Sequence, residues 1–572
     1  MTTRNNDTAP GGGSSSNKKG NKIIMKKRSF SDHSLFRFTL ALLICLCYSC
    51  EFSMASNADT AEKTLSISLA NHLALTPADE KKGRENLLRG LNMDETWVQV
   101  GDNLNGASMD ELGKSGVSMN GKGTRIIVGA KSSSAKFAGG FARIFEAVDG
   151  NWVQIGDDIE ADKAYDGLWS VDMNEEGTRV IIGIIFADGK NSGYSGISRV
   201  FEETDGNWVQ IGNDLSGEAY NDYFGWSVGM NGPGTRVIVG GPYNGNEVGT
   251  RSGHARVFQE VDGTWVQIGD DINGEAAYNN SGIGVDINGA GNRVIIGANL
   301  NDGGGGLVYA GHARVFEDVN GNWVQVGDDI NGESSYDYAG NAVAISDDGK
   351  RIIVGAQNDD DKGTDAGHAR VFEETNGNWV KVGDDIDGEA SGDYAGLSVD
   401  MNGDGTKVIV GALGNDGNGS SSGHARVLQE IDGNWVQLGG DINGEASGDI
   451  AGYSVGISDD GTRVIVGSPG NTGRAGQARV FEDTNKKAPT SSPTSTPTWT
   501  PTAEPTTTPT TELKCKTFKE RMPCNDKVGC FWKFKNEGTE GGKCRKCSMI
   551  AKKDKCNLKV GCTWNDSESV CG

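Results

Sequence analysis

The chain has 572 residues, with 86 glycines and only 12 prolines, which is too long for one ordinary core and is typical of turn-rich ordered structure rather than disorder. Its net charge of −24 is uneven, because residues 1–50 and residues 512–572 each carry +6 and thereby leave −36 on the middle of the chain. Such a middle repels nucleic acid and anionic lipid, which argues against nucleic-acid binding and favours cations or basic partners.

Residues 1–55 have the order of a secretory signal. Four basic residues precede an apolar run, residues 38–48, and small residues follow it. A stable membrane span needs about 20 apolar residues, so we expect cleavage near Ala55 or Ala58, with an uncleaved signal anchor as the alternative. The sequence therefore predicts a secreted or cell-surface protein with a short lead segment, residues 56–92.

A tryptophan motif then recurs at a nearly constant period of 55 to 58 residues. Each copy reads Trp-Val-Gln/Lys-aliphatic-Gly, and the seven copies begin at Trp97, Trp152, Trp208, Trp265, Trp323, Trp379 and Trp435. One period contains four strand-like runs, at residues 379–382, 397–401, 407–411 and 425–429, separated by Asp/Gly/Asn-rich turns. Four short strands per repeat predict the blade of a β-propeller, and seven repeats predict an all-β, seven-bladed ring over residues 93–485.

The ends of the array are incomplete in complementary ways. The first unit opens with an isolated Trp97 strand, and the last unit ends at residues 477–482 without a following tryptophan strand. We therefore predict that the Trp97 strand lies outermost in the blade that contains Val455, Val464 and Val480. This closure would remove the exposed strand edge of an open ring.

Blade three reads Phe224-Gly225-Trp226-Ser227-Val228, then residues 236–242 as Arg-Val-Ile-Val-Gly-Gly-Pro, then residues 253–258 as Gly-His-Ala-Arg-Val-Phe. This pattern resembles the FG-GAP repeat, the blade of integrin α-subunit propellers and related extracellular proteins, and looser matches extend through all seven units. The resemblance implies an extracellular binding propeller, often one that acts in adhesion.

The resemblance also implies a calcium loop of the form Asp-x-Asp/Asn-x-Asp-Gly-x-x-Asp. Asp400, Asn402 and Asp404 come closest to it, but Val408 stands where the closing acid belongs. A plain β-turn explains these residues better, so the sequence predicts at most weak calcium binding and no other cofactor.

Two further patterns repeat around the ring. His254, His312, His368 and His424 occupy one slot, which indicates either metal ligands or, as we favour, packing at the start of a strand. Acidic clusters recur between blades, for example at residues 384–389 and 328–333, and are explained equally by a weak cation surface and by solvated turns. The seven motif tryptophans predict burial between blades rather than a sugar platform.

Beyond the propeller, prolines fall at every fourth position within residues 486–513, a Thr/Pro-rich stalk that we expect to be extended. Residues 514–572 form a duplicated cysteine-rich module. Export and the even count predict structural disulfides among Cys515, Cys524, Cys530, Cys544, Cys547, Cys556, Cys562 and Cys571. The candidate glycosylation sites of an exported chain are Asn279, Asn418 and Asn565.

These features predict a surface binding or adhesion protein, not an enzyme, in which the propeller recognises a protein or glycan ligand. A structural component of a cell wall or matrix is the first alternative. A propeller-fold carbohydrate-active enzyme is a weaker one, since it would need paired carboxylates or metal ligands that break the repeat on one face, and none stand out in the sequence.

Overall fold

A computed structural model describes residues 97–131, 139–189, 193–303 and 306–484, together with the strand pair Trp564–Asn565 and Val570–Cys571. The strand pair belongs to a second unit of the chain, separate from the unit that holds residues 97–484. The predicted signal, lead segment, stalk and most of the cysteine module lie outside the described residues. Within the described part of the chain, no helix is long and apolar enough to cross a membrane.

Residues 97–484 form seven antiparallel sheets, each with four main strands, which confirms the predicted seven-bladed propeller. We number the blades 1 to 7 in the chain order of their innermost strands. The innermost strands are Leu112–Met119, Leu168–Met173, Ser227–Met230, Val285–Ile287, Ala342–Ile345, Ala395–Met401 and Ser454–Ile457. The second strands are Arg125–Ala130, Arg179–Ile184, Arg236–Gly241, Arg293–Ala298, Arg351–Ala356, Lys407–Ala412 and Arg463–Ser468.

The third strands are Phe141–Val148, Ile197–Thr204, His254–Val261, His312–Val319, His368–Thr375, His424–Ile431 and Gln477–Asp483. The outer strands are Asn151–Gln154, Asn207–Ser216, Thr264–Gln267, Asn322–Gln325, Asn378–Lys381, Asn434–Gln437 and, in blade 7, Trp97–Gln99. A four-residue helical turn, Asn471–Arg474, joins the second and third strands of blade 7.

Each blade also has a short fifth strand, which the sequence had presented only as part of an acidic turn. These strands are Ile159–Glu160, Ile272–Asn273, Ile330–Asn331, Ile386–Asp387, Ile442–Asn443 and Leu104–Asn105, and in blade 2 the segment is continuous with the outer strand. They pair with the first residues of the third strand, as Asn331 does with His312. The acidic residues beside them are thereby held close to the slot of the recurring histidines.

The hydrophobic core lies between blades rather than within one. The second strands are buried on both faces, so they are nearly continuous aliphatic runs, and Val237, Ile238 and Val239 are all fully buried. One core cluster, for example, joins Ile353 of blade 5 to Val399 and Val408 of blade 6. No blade could bury this surface alone, which is why the repeats close into a ring.

The tryptophan motif forms the recurring link between neighbouring blades. The Trp379 indole nitrogen donates a hydrogen bond of 2.8 Å to the backbone oxygen of Val326, the aliphatic residue of the preceding motif. The glycine that follows, Gly327, has a φ of 72°, and a Cβ there would lie 2.9 Å from Cδ1 of Trp379. All seven tryptophans make the equivalent bond, at 2.8 to 3.0 Å. The tryptophans lie between blades as predicted, although only Trp97 and Trp265 are buried and the other five are half-buried. This contact explains both the aliphatic residue and the glycine of the motif.

A ring of basic residues, one at the start of each second strand, forms a further link between neighbouring blades. Arg179, at the start of a second strand, donates to the backbone oxygen of Gly234 at 3.0 Å and to Glu260 at 2.6 Å, both in the next blade. Its side chain is 16% exposed, so the pair is partly desolvated and less screened than a surface ion pair.

The ring closes as predicted. Trp97, Val98 and Gln99 pair with Asp483, Glu482 and Phe481 of the last third strand. Trp97 is 9% exposed and its indole nitrogen donates to Leu438 of blade 6 at 2.8 Å. The N-terminal strand therefore supplies both the missing edge of blade 7 and the seventh tryptophan link.

Candidate binding site on the loop face

The propeller has two different faces. Short turns connect the innermost to the second strands on one side, which we call the turn face. The longer connections between second and third strands, and those that enter each innermost strand, share the other side, which we call the loop face. Propeller loops of this kind carry variable residues on a rigid scaffold, so the loop face is where a binding site is expected.

Six aromatic residues of blades 2 and 3 cluster on the loop face. Trp169 is the second residue of the innermost strand of blade 2, and Trp226 directly precedes the innermost strand of blade 3. Their ring centroids are 4.7 Å apart. Tyr243 lies 5.6 Å from Trp226 and 5.0 Å from Tyr223. Phe186 completes the group, at 5.4 Å from Tyr223 and 5.6 Å from Tyr194. We call these residues the aromatic cluster: Trp169, Phe186, Tyr194, Tyr223, Trp226 and Tyr243.

The aromatic cluster is a departure from the repeat. The slot of Trp169 and Trp226, two residues before the strand valine, holds Ser115, Ile283, Asn341, Leu397 and Tyr453 in the other blades. Trp169 and Trp226 are the only tryptophans of residues 97–484 that lie outside the motif, and the sequence pattern assigns them no role. This slot is the sequence feature from which the cluster could have been predicted. Tryptophan occupies it in two adjacent blades, at the loop-face end of the innermost strands.

Two cations lie over the aromatic cluster. Nζ of Lys131 is 4.8 Å from the centroid of Trp169, and the guanidinium carbon of Arg251 is 4.8 Å from the centroid of Tyr243. Burial, followed by the charge of Lys114, lowers the pKa of Lys131. The cluster rings other than Tyr194 are half-buried, which leaves part of their surface open to a ligand. Such a patch can stack flat apolar faces and hold an anionic or hydroxyl group beside them.

The three residues nearest to a calcium loop do not meet at one point, because Asn402 and Asp404 are hydrogen-bonded to each other at 2.8 Å while Asp400 is directed elsewhere. Asp400 points to the neighbouring blade, where its Oδ2 accepts a hydrogen bond of 2.9 Å from the backbone of Ile457. Asn402 Oδ1 accepts from the backbone of Lys407 at 2.7 Å, and Asp404 Oδ1 accepts from Thr406 at 3.0 Å. Asn402 and Asp404 thus carry out the turn chemistry that the sequence favoured, and weak calcium binding stays a prediction.

Asp400 is instead one of three acids on alternate innermost strands, with Asp172 and Asp286. Each accepts a backbone hydrogen bond from the next blade, as Asp172 does from Met230 at 2.7 Å. Burial raises the pKa of Asp172 to about 6 and that of Asp400 to about 7. Burial, and then the charge of Asp172, also raises the pKa of Asp286. The carboxyl groups of Asp172 and Asp400 therefore lose their protons between about pH 6 and 7 rather than near pH 4, and all three acids serve as links between blades.

The acidic clusters between blades divide into two roles. Asp393 is 3% exposed and accepts backbone bonds from Glu389 and Ala390 at 3.0 Å, so it shapes the connecting loop. Other members, such as Asp329, face the recurring histidines. The four histidines are at most 1% exposed, which agrees with the packing interpretation, but each lies beside carboxylates, which that interpretation did not anticipate.

The candidate glycosylation sites differ in exposure. Asn279 is 4% exposed, so the folded propeller leaves little room for a glycan on its side chain. Asn418 is exposed on the loop between the second and third strands of blade 6. Asn565 lies in the strand pair of the second unit, and the cysteines before Cys571 lie outside the described residues.

A model of the FG-GAP repeat matches residues 331–372, which run from the fifth strand of blade 4 to the third strand of blade 5. No curated protein matches the sequence. Among solved structures, a hydrazine synthase of Kuenenia stuttgartiensis is similar with a TM-score of 0.39 and 12% identity, over 64% of this chain and 94% of that one. A Bacteroides uniformis protein described as a putative 6-phosphogluconolactonase is similar with a TM-score of 0.42 and 12% identity, over 58% of this chain and 86% of that one.

Proposed function

We propose that this seven-bladed β-propeller, in which residues 331–372 match the FG-GAP repeat, is a secreted or cell-surface recognition protein whose loop face binds a protein or glycan ligand. The observation that carries the proposal is the aromatic cluster. Motif tryptophans elsewhere in the ring bond to the backbone of the neighbouring blade, whereas Trp169 and Trp226 occupy a variable slot on the loop face.

The chemistry of the aromatic cluster fits recognition. Half-buried rings of Trp169, Trp226 and Tyr243 offer rigid apolar faces that lose little conformational entropy on binding. Lys131 and Arg251 place positive charge beside these faces, although residues 51–511, which include the propeller, carry a large net negative charge. Ligands that combine flat apolar faces with acidic or hydroxyl groups, such as sugars or acidic peptide segments, match this combination.

The remaining parts of the proposal come from the sequence. The N-terminal signal supports export, the Thr/Pro stalk supports separation of the propeller from a surface, and the basic cysteine-rich module supports anchoring or a second contact. In this arrangement the propeller is the recognition head. It needs no catalytic residues, because affinity for a ligand on the loop face is sufficient for adhesion or recognition.

The proposal is tested by probing glycan and protein arrays with the full-length protein. We expect selective binding that Trp226→Ala weakens at least tenfold, because aromatic anchors in half-buried sites commonly contribute more than about 1.4 kcal/mol. Tyr278→Ala is the matched control, since Tyr278 is a 57% exposed aromatic residue in the corresponding connection of the next blade, outside the aromatic cluster.

Two outcomes would contradict the proposal. One is ligand binding that Trp226→Ala and Trp169→Ala leave unchanged while their melting temperatures match that of the wild type. The other is equal loss of binding in Tyr278→Ala, which would show that the loop face as a whole, and not the aromatic cluster, holds the ligand.

A further inference from the structure

A histidine and two carboxylates meet at the junction of blades 3 and 4. Nδ1 of His312, at the start of a third strand, lies 3.8 Å from Oε2 of Glu275 and 3.8 Å from Oδ2 of Asp329. Glu275 belongs to the connection that enters blade 4, and Asp329 precedes the fifth strand of blade 4. The three side chains therefore converge from separate segments on one point.

Both carboxylates are held by one oxygen and present the other. Asp329 Oδ1 accepts a hydrogen bond of 2.8 Å from Gln325, and Oδ2 is left facing His312. Glu275 Oε1 lies 3.5 Å from the guanidinium of Arg314, and Oε2 faces His312. Carboxylates that ligate a metal are typically oriented in this way, by neighbouring groups that hydrogen-bond to the oxygen that does not bind the metal.

His312 is left without a partner at this point. It is 1% exposed, and among the described residues neither of its ring nitrogens has a hydrogen-bond partner. At 3.8 Å the two carboxylate oxygens are too distant for a hydrogen bond to Nδ1. Burial and the charge of Arg314 lower the pKa of His312 to about 4, so its imidazole is neutral at neutral pH and can offer a lone pair. A buried polar group without a partner, facing two carboxylate oxygens, is completed by a cation.

The same arrangement recurs in two other blades. The equivalent groups are Glu389, His424 and Asp441 in blade 6, and Glu218, His254 and Asp271 in blade 3. Within the part of the propeller that the structure describes, both nitrogens of His424 again lack partners. Blade 3 differs, because Nδ1 of His254 is hydrogen-bonded to Asp271 at 3.1 Å, so the unpartnered histidine is found only at His312 and His424 among these three described groups.

Two blades show what the junction looks like when it needs no cation. In blade 7 the histidine slot holds Gln477 and the aspartate slot holds Asn103. Their amide nitrogens donate to Glu445 at 3.1 and 3.2 Å. In blade 5 the slot of Gln325 holds Lys381, whose ammonium takes Asp385 at 2.7 Å, while His368 lies 3.3 Å from Asp359. In these two blades, a side-chain amide or the Lys381 ammonium interacts with the carboxylate that a bound cation would otherwise neutralise.

We propose that the junctions centred on His312 and His424 each bind one divalent transition metal ion of the Zn²⁺ class through one imidazole nitrogen and two carboxylate oxygens. Ligand bonds of about 2.1 Å in a tetrahedral site place ligand atoms roughly 3.4 Å apart. The 3.8 Å separations around His312 need to close by only a few tenths of an ångström. A neutral imidazole selects Zn²⁺, Co²⁺ or Ni²⁺ over Ca²⁺, which takes oxygen ligands alone.

The test uses the full-length protein, stripped of metal with a chelator and dialysed against Zn²⁺. The double variant His312→Gln/His424→Gln should bind two equivalents fewer than the wild type, and Zn²⁺ should raise its melting temperature less. Glutamine is the residue that blade 7 carries in this slot, so the variant is expected to fold. His368→Gln is the matched control and should bind as much Zn²⁺ as the wild type, because Lys381 already neutralises Asp385 in that blade.

A second pair of measurements separates these sites from cysteine ligation and from folding defects. Co²⁺ in place of Zn²⁺ should give visible d–d absorption that the double variant reduces, without a change in any thiolate charge-transfer band. The double variant Asp329→Asn/Asp441→Asn should also bind two equivalents of Zn²⁺ fewer, because each site loses a carboxylate ligand. This variant is expected to fold, because Asn103 shows that the aspartate slot accepts an amide. Equal Zn²⁺ uptake by the wild type and both double variants would overturn the proposal. So would an equal loss in His368→Gln, or displacement of Zn²⁺ by Ca²⁺ at equal concentration.

Discussion

Replacement of Gly327 by alanine should destabilise the propeller far more than the same replacement of Gly377. Both glycines have positive φ angles, 72° and 79°, so both substitutions incur a left-handed backbone cost of about 1 to 2 kcal/mol. At Gly327 the new Cβ would lie 2.9 Å from Cδ1 of Trp379, whereas at Gly377 no atom of the described residues lies within 4 Å of the place that a Cβ would take. The pair therefore isolates the contact between blades from backbone strain.

The additional cost at Gly327 has two sources. Overpacking against a well-packed ring costs about 1 to 3 kcal/mol. Displacement of Trp379 also weakens its hydrogen bond to Val326, which is worth about 1 kcal/mol. We expect Gly327→Ala to lower the free energy of unfolding by about 3 to 6 kcal/mol, against about 1 to 2 kcal/mol for Gly377→Ala.

The assay is guanidinium denaturation followed by tryptophan fluorescence, with the slope of the transition compared as well as its midpoint. The series can be graded, because a Cβ would lie 2.6 Å from Cδ1 of Trp265 at Gly212, and 3.1 Å from Cδ1 of Trp435 at Gly383. The expected order of destabilisation is Gly212→Ala, then Gly327→Ala, then Gly383→Ala, with Gly377→Ala least. Equal midpoints for Gly327→Ala and Gly377→Ala would refute the role of the tryptophan links in joining the blades.

Two further predictions concern ring closure and the acids around the axis. Deletion of residues 93–104 should expose the edge of Gln477–Asp483 and cause aggregation that size-exclusion chromatography detects. Removal of residues 486–572 should leave the melting temperature unchanged. If the protein without residues 93–104 stayed monomeric with wild-type stability, the ring closure would be contradicted. Asp172→Asn should leave the stability of the protein unchanged near pH 4 and increase it at pH 7.5. The reason is that folding raises the pKa of the Asp172 carboxyl from 3.8 to about 6, so the wild-type protein loses stability as pH rises between those values, whereas the asparagine variant does not. The asparagine amide can be accommodated because the Ser118 hydroxyl, which now donates to Asp172 at 2.7 Å, can instead accept a hydrogen bond from the amide. Stability curves of the two proteins that run parallel across this pH range would show that Asp172 is ionised throughout and would contradict the prediction.

The architecture was predictable because its determinants are local and repeated. A period of 55 to 58 residues, four strand-like runs per period and glycine-rich turns are all readable within one unit, and each is imposed again in the next. Even the long-range closure followed from counting strands, since an array that begins with an outer strand and ends with a third strand can satisfy both edges only by joining them.

The sites were decided by tertiary structure because they join residues from different repeats. Trp169 and Trp226 are 57 positions apart, and only the turn of the ring by one blade places their rings 4.7 Å from each other. His312, Glu275 and Asp329 each look ordinary in the sequence, as a strand start and two acidic turns, and the pairing of a fifth strand with the third strand brings them together. Asp400 came closest to the first position of a calcium loop, and the sequence favoured a plain β-turn there, but its side chain bonds to the next blade. Sequence pattern specifies how each blade forms, whereas contacts between blades depend on the angle and spacing at which the packed sheets meet.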